Sequence, residues 1–168
     1  VLETAKKDAG LMEGRSNTGV VQKYARYWNE RNTKAKLVLN SPYCGLAVWY
    51  WYTKAGVDPQ VAFSPRAINW KVNCKSPHSF FGLSLKELED IPKASAIIYK
   101  NSWGNHVGLF EKAVLSDIYT YEGNTSTGRA VQKYAKKGEG VFYLKTSVNN
   151  KQIRPIYYCD CIKQGKVL

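Results

Sequence analysis

The 168-residue chain is short of several things, and each shortage narrows what it can be. No apolar run approaches the ~18 residues of a membrane-spanning helix; the closest, 46–52, ends well before that length. No repeated strand–helix–strand alternation runs along it, which argues against a parallel sheet. It carries no recognisable nucleic-acid-binding motif and no clustered basic helix, so nucleic acid is not an expected partner. No signal peptide is visible, although the chain starts at Val1 rather than Met, which is compatible with an export signal removed upstream. Histidine is scarce, with only His78 and His106, and there are only four cysteines.

Acidic residues are also in short supply: 13 Asp and Glu stand against 25 Lys and Arg, a net charge of +12. The excess is uneven, because residues 129–168 hold nine Lys and Arg against two Asp and Glu. A field of this sign attracts polyanions, among which an anionic cell-wall polymer qualifies. For most of these residues a solvated lysine-rich surface is the plain reading. The chain is rich in aromatics, with twelve Tyr and five Trp, and 44% of it is hydrophobic, enough for one core in a single domain spanning 1–168.

Helical signals come first. Residues 2–13 can form a helix, and 13–19 is a loop by composition. Val20, Val21, Tyr24, Tyr27 and Trp28 recur at helical spacing over 20–30, with Gln22, Lys23 and Arg26 on the polar face. Residues 29–40 read as a basic loop. Residues 42–55 are apolar nearly all round, which predicts a central buried helix, with Ser41 as N-cap, Pro42 at the first helical position and Gly56 closing the end. Ser64-Pro65 suggests another start, over 65–72, and Ser84-Leu85-Lys86-Glu87 is a capping box. The pentapeptide Val-Gln-Lys-Tyr-Ala occurs at 21–25 and again at 131–135, too short to establish a repeat.

From residue 94 onward the pattern is that of strands: 96–99, then a loop over 101–105, then 107–114 and 118–121 joined by a tight turn at Ser116-Asp117, then 140–146 and 153–159. Helices followed by a run of strands predict an α+β fold, an antiparallel sheet packed on the helix that begins near Cys44.

That helix start carries the most telling chemistry. Cys44 in the first turn faces unpaired backbone N–H groups and the positive end of the helix dipole, and both favour thiolate over thiol. His106 and Glu122 fall at the same end of an antiparallel pair, one strand leaving and the next returning, so sixteen residues of separation bring the two side chains together. A thiol, an imidazole and a group to orient the imidazole are the parts of a nucleophilic catalyst. Read singly, each has a plainer meaning: a core cysteine, a structural histidine, a turn carboxylate. His78, in a polar loop after Pro77, reads as solvated.

Three segments, SPYCGLAVWYWYTKAGV, GNHVGLFEKA and IYTYEGNTS, resemble the signature segments of CHAP-type cysteine amidase and peptidase domains, within the NlpC/P60, papain-like group of bacterial cell-wall hydrolases. The resemblance runs from the first helix to about residue 155. It implies a papain-like fold, with Cys44 as nucleophile, His106 as base, Glu122 orienting His106 and Asn124 as a supporting polar residue. It also implies peptidoglycan as substrate, no cofactor and no metal, and an extracellular or periplasmic location. The chain departs from the family at Asn105-His106, where Gly-His is usual, and at Ala94-Ser95, where Gly-Asp often begins the strand. Tyr43 and Trp103 are candidates for substrate contact, and 58–83 and 125–139 for groove walls. Trp49, Trp51 and Trp70 are further stacking candidates, the first two better placed in a core.

With Cys44 as a free thiol, three cysteines remain. Cys74 can pair with Cys159 or Cys161 in an exported protein, or Cys74, His78, Cys159 and Cys161 can form a Cys3His zinc set, whose spacings match no common zinc motif. The alternative to an enzyme is a non-catalytic module on the same fold that holds cell wall or another polyanion through its basic surface.

Overall fold

Helices dominate the first third of the chain, and the long strands begin only at Ala96. The structure is a computed structural model that describes every residue except 15–18, 33–35, 38–42, 61–66, 103 and 132–137. In chain order the elements are α1 (Leu2–Asp8), α2 (Val20–Arg31), α3 (Cys44–Lys54), β1 (Val57–Asp58), α4 (Ala67–Val72), β2 (His78–Ser79), α5 (Leu85–Glu89), β3 (Ala96–Asn101), β4 (Gly104–Val114), β5 (Asp117–Ser126), a 3-10 turn at Thr127–Arg129, β6 (Glu139–Ser147), β7 (Ile153–Cys159), α6 (Cys161–Gln164) and β8 (Lys166–Val167). The sheet is antiparallel with strand order β2-β7-β3-β4-β5-β6, and β1 pairs separately with β8. The fold is therefore α+β, as the order of signals predicts. No helix among the described residues is long and apolar enough to cross a membrane.

The two-residue period of a strand divides the core. On β3, Ala96 and Ile98 join the layer under α2 and α3, while Ile97 and Tyr99 join a second layer closed by Phe80, Leu88 and Ile91. Helix α3 is the centre of the first layer, with every residue from Cys44 to Thr53 buried. It can lie this close to the sheet because Gly123 of β5 has no side chain: a Cβ there would stand 2.7 Å from the Cβ of Ala47 and 3.3 Å from the ring of Tyr43. Gly56 ends the helix in the left-handed region, at φ 78°.

Several sequence expectations shift. Helix α3 begins at Cys44 with Tyr43 in the cap position, so Pro42 is not its first residue; Ser41 and Pro42 lie outside the described residues. Helix α1 stops at Asp8 instead of reaching 13, because 10–12 join the sheet, with Gly10 N–H donating to Val141 O and Val141 N–H to Leu11 O. The loop expected over 101–105 is a tight hairpin in which Asn101 pairs with Gly104, and His78, expected in a loop, begins β2. The next turn falls at Leu115-Ser116, with Leu115 left-handed. The capping box at Ser84 and Glu87 forms in full. Ser64 and Pro65 and most of the second Val-Gln-Lys-Tyr-Ala copy lie outside the described residues.

Cys74 and Cys159 form a disulfide that ties the segment after α4 to the end of β7 across 85 residues. Its two sulfurs are thereby unable to serve as zinc thiolates, which removes the Cys3His alternative; Cys44 and Cys161 are free and buried. The Cys161 thiol is held protonated, pushed up by burial to about 12.

A buried carboxylate joins the three N-terminal helices. Asp8, 3% exposed, accepts from the Tyr24 hydroxyl at 2.7 Å, from the Trp51 indole at 3.0 Å and from the Lys23 ammonium. Asp8→Ala strands the hydroxyl and the indole N–H without their acceptor and should cost about 3 kcal/mol. Asp8→Asn, which keeps an acceptor oxygen, should cost less. Urea denaturation of the two variants measures the difference.

Candidate active site

The site assembles where the start of α3 meets the β4–β5 pair. His106, near the beginning of β4, and Glu122, on the returning β5, meet with His106 Nε2 2.8 Å from Glu122 Oε2. Since the carboxylate is ionised and can only accept, Nε2 carries the proton and donates it, which leaves Nδ1 for the sulfur. The Cys44 thiol and the His106 ring stand close enough for each to shift the titration of the other. A thiol, an imidazole and a carboxylate thus form one continuous chain. Cys44 and His106 are 5% and 7% exposed, and Glu122 is fully buried.

Glycine makes room for this contact. A Cβ on Gly108, two residues along β4 from His106, would lie 2.7 Å from the Cγ of Glu122. The glycines flanking the Asn-His pair in the sequence therefore have different tasks: Gly104, at φ 134°, turns the hairpin, and Gly108 gives Glu122 its seat.

Burial favours a protonated Glu122, but three groups oppose it. Arg129 Nη2 donates to Oε2 at 3.0 Å, the Thr120 hydroxyl donates to Oε1 at 2.7 Å, His106 donates to Oε2, and Tyr99 lies 3.1 Å from the Thr120 hydroxyl, steadying it. Against desolvation, the Arg129 guanidinium first and then His106 and Thr120 hold the carboxyl down at about 2. Arg129 also reaches the Thr146 hydroxyl on β6, so its guanidinium is fixed from two sides.

The same reasoning sets the thiol and the imidazole. Burial alone raises the Cys44 thiol, but His106 and the backbone N–H groups of Val107 and Gly45 outweigh it and bring it below the ordinary thiol range. Burial alone lowers His106, but the sulfur and Glu122 outweigh it and raise the ring. Both shifts favour a thiolate–imidazolium pair. As the first helical residue, Cys44 has a backbone N–H without an intrahelical acceptor, at the positive end of α3.

The remaining sequence candidates fall elsewhere. Asn124 makes no side-chain hydrogen bond to Cys44, His106 or Glu122 among the described residues. It sits left-handed, at φ 57°, in the bulge where β5 shifts register on β6 between Glu122 and Thr125. Asparagine tolerates that conformation better than most residues. Tyr43 is buried, its ring against Gly123 and 6.3 Å from the ring of Tyr24, so it forms part of the floor and not an exposed wall. Trp49, Trp51 and Trp70 are all buried, Trp70 stacked on Tyr52. Trp103 lies outside the described residues, as do parts of the expected walls at 61–66 and 132–137. No metal-holding group of three or more His, Cys, Asp or Glu occurs among the described residues.

The sequence reading missed Arg129 and Thr120. The signal for Arg129 was available in electrostatics: a carboxylate placed in an apolar strand requires a cation, and Arg129 is the next one along the chain. No family model, no curated protein and no solved structure matches this chain.

Two outcomes test this geometry. The Glu122 carboxyl sits below its ordinary value of 4.5 when folded, so its contribution to stability is present above about pH 4.5 and is lost as pH falls towards about 2. Glu122→Gln cannot titrate and should flatten the stability–pH curve across that window, followed by circular dichroism. Gly108→Ala should displace the carboxylate and slow alkylation of Cys44 by iodoacetamide at pH 6 by roughly tenfold, as the thiolate population falls. An unchanged alkylation rate would show that the seat does not matter.

Proposed function

We propose that this chain is a cysteine hydrolase that cleaves an amide bond in bacterial peptidoglycan, with a papain-like arrangement of the CHAP, NlpC/P60 type. The observation that carries this reading is the buried chain Cys44–His106–Glu122, ionised by Arg129 and anchored at a helix start. Such a chain is expensive to maintain in a core, and a purely binding module has no use for it.

The chemistry follows from the groups. The Cys44 thiolate attacks the amide carbonyl carbon, and the oxyanion that forms is met by the backbone N–H of Cys44 at the positive end of α3. The His106 imidazolium gives its Nδ1 proton to the leaving amine, and the C–N bond breaks to leave a thioester. Water, deprotonated by His106, attacks the thioester and releases the acid and the free thiol. Glu122 keeps the Nε2 proton in place throughout, so the ring presents the same nitrogen in both half-reactions. No cofactor enters this scheme. The Cys74–Cys159 disulfide favours an oxidising compartment, in keeping with work outside the cytoplasm.

The test is digestion of purified peptidoglycan with the wild type and Cys44→Ala, with the released fragments identified by mass spectrometry. Fragments should appear only with the wild type. Their new ends distinguish an amidase, cutting between muramic acid and the peptide, from an endopeptidase. Cleavage by Cys44→Ala would overturn the mechanism.

A further inference from the structure

The charges gathered around Glu122 act on one another and have to be counted together. The Cys44 thiolate and the Glu122 carboxylate are negative; the His106 imidazolium and the Arg129 guanidinium are positive. Glu122 Oε2 is shared between the two cations, accepting from His106 Nε2 at 2.8 Å and from Arg129 Nη2 at 3.0 Å. Arg129 is the one Lys or Arg that pairs with Glu122 among the described residues. The other groups that face this chain carry no charge. The Thr120 hydroxyl donates to Oε1, with Tyr99 behind it. Tyr99, near Glu122, and Tyr43, near Cys44, are both held protonated by burial. A further carboxyl, Glu13, stands beside Tyr43.

A largely buried group of charges is tolerated only near electrical neutrality. With Arg129 in place, the two positive and two negative charges cancel while the sulfur is ionised. Without it, thiolate, imidazolium and carboxylate leave one negative charge unbalanced, and one added proton restores neutrality. Of the two anions the thiolate is much the stronger base, so that proton goes to the sulfur. We propose that Arg129 is a positioning residue of this site: bonded to Glu122 and to neither Cys44 nor His106, it supplies the positive charge against which the Cys44 sulfur ionises. Arg129 ends the turn Thr127–Arg129 and also reaches Thr146 on β6. The course of the chain between β5 and β6 therefore decides the state of a sulfur at the start of α3. The hydrolase reading gives this role its catalytic meaning, but the ionisation of the thiol can be measured without turnover.

The experiment follows alkylation of the intact protein by iodoacetamide between about pH 4 and pH 9, with the Cys44 peptide quantified by mass spectrometry. The ring signals of His106 and His78, the only two histidines, are followed by NMR over the same range. Arg129→Gln keeps an amide that can donate to Glu122 but removes the charge, while Arg129→Lys keeps the charge and loses the fork. With Arg129→Gln the midpoint of the alkylation profile should rise by about one pH unit, a roughly tenfold loss of rate on its acid side, while His106 titrates no lower than in the wild type. Arg129→Lys should recover most of that loss. Glu122→Gln/Arg129→Gln removes both charges together and should bring the midpoint to within about half a unit of the wild type; it carries the test where the single variant does not fold. An unmoved midpoint with Arg129→Gln, equal rises with Arg129→Gln and Arg129→Lys, or a rise of a full unit in the double variant would overturn the proposal. A fall of the His106 titration with Arg129→Gln would overturn it too, since Arg129 would then only hold the carboxylate in place. If the profiles move as described but the wild type leaves peptidoglycan uncut, the hydrolase reading falls and the role of Arg129 in ionising the thiol stands. Cutting of peptidoglycan together with an unmoved midpoint gives the reverse.

Discussion

The buried charge of Glu122 is the constraint on which the rest of this structure depends. A carboxylate without solvent is tolerable only with close donors and a compensating cation, and here each donor imposes a requirement on the chain. Arg129 must come back beneath the strand it has just left, which needs the 3-10 turn at Thr127–Arg129 and the register shift before it. Asn124 supplies the left-handed residue for that shift. Thr120, two residues along the strand, must keep its hydroxyl on the carboxylate, and Tyr99 on the far side of β4 steadies it. Gly108 must have no side chain. The groups that would perform chemistry and the groups that hold the sheet in register are to this extent the same groups.

Close approach is the second theme. Helix α3 has no polar face, so beyond the hydrogen bonds of Trp51 to Asp8 and of Tyr52 to the Ala94 carbonyl its position is set by contact. Gly123 supplies the contact, being adjacent in the chain to Glu122. One residue of β5 thus sets how near the helix lies, and its neighbour sets where the imidazole stands. A shift of α3 along the sheet would move Cys44 relative to His106, which ties the alignment of sulfur and ring to backbone packing.

Much of this was legible in the sequence, and the gaps have physical causes. The order of helices and strands, the burial of 44–53, the end of α3 at Gly56, the capping box and the hairpin joining His106 to Glu122 follow from local pattern, and local pattern is what a sequence displays. The strand 153–159 was read with its observed limits. What failed involved partners distant in the chain. Residues 10–12 leave the helix because β6 offers them hydrogen bonds. The hairpin at Asn101 and Gly104 closes because pairing continues to its tip. Asn124, a polar site residue by resemblance, sits left-handed in the bulge of β5, a conformation that local pattern does not display. Arg129 went unnoticed because a charge looks like a surface residue until its carboxylate is known to be buried.

The two free cysteines and the disulfide have a consequence for how the molecule matures. In an unfolded chain all four thiols are alike, and any of them can pair with any other as the protein is oxidised. The reactivity of Cys44 is not a property of that chain; it arises only when α3 has formed and His106 has arrived, and those same events enclose the sulfur. Cys161, two residues from Cys159 and the nearest competitor for Cys74, is sealed and kept protonated by the same core. The lowered thiol of Cys44 and its burial are thus acquired in one step, so the sulfur that the fold favours as thiolate is not marked out in a chain that has yet to fold.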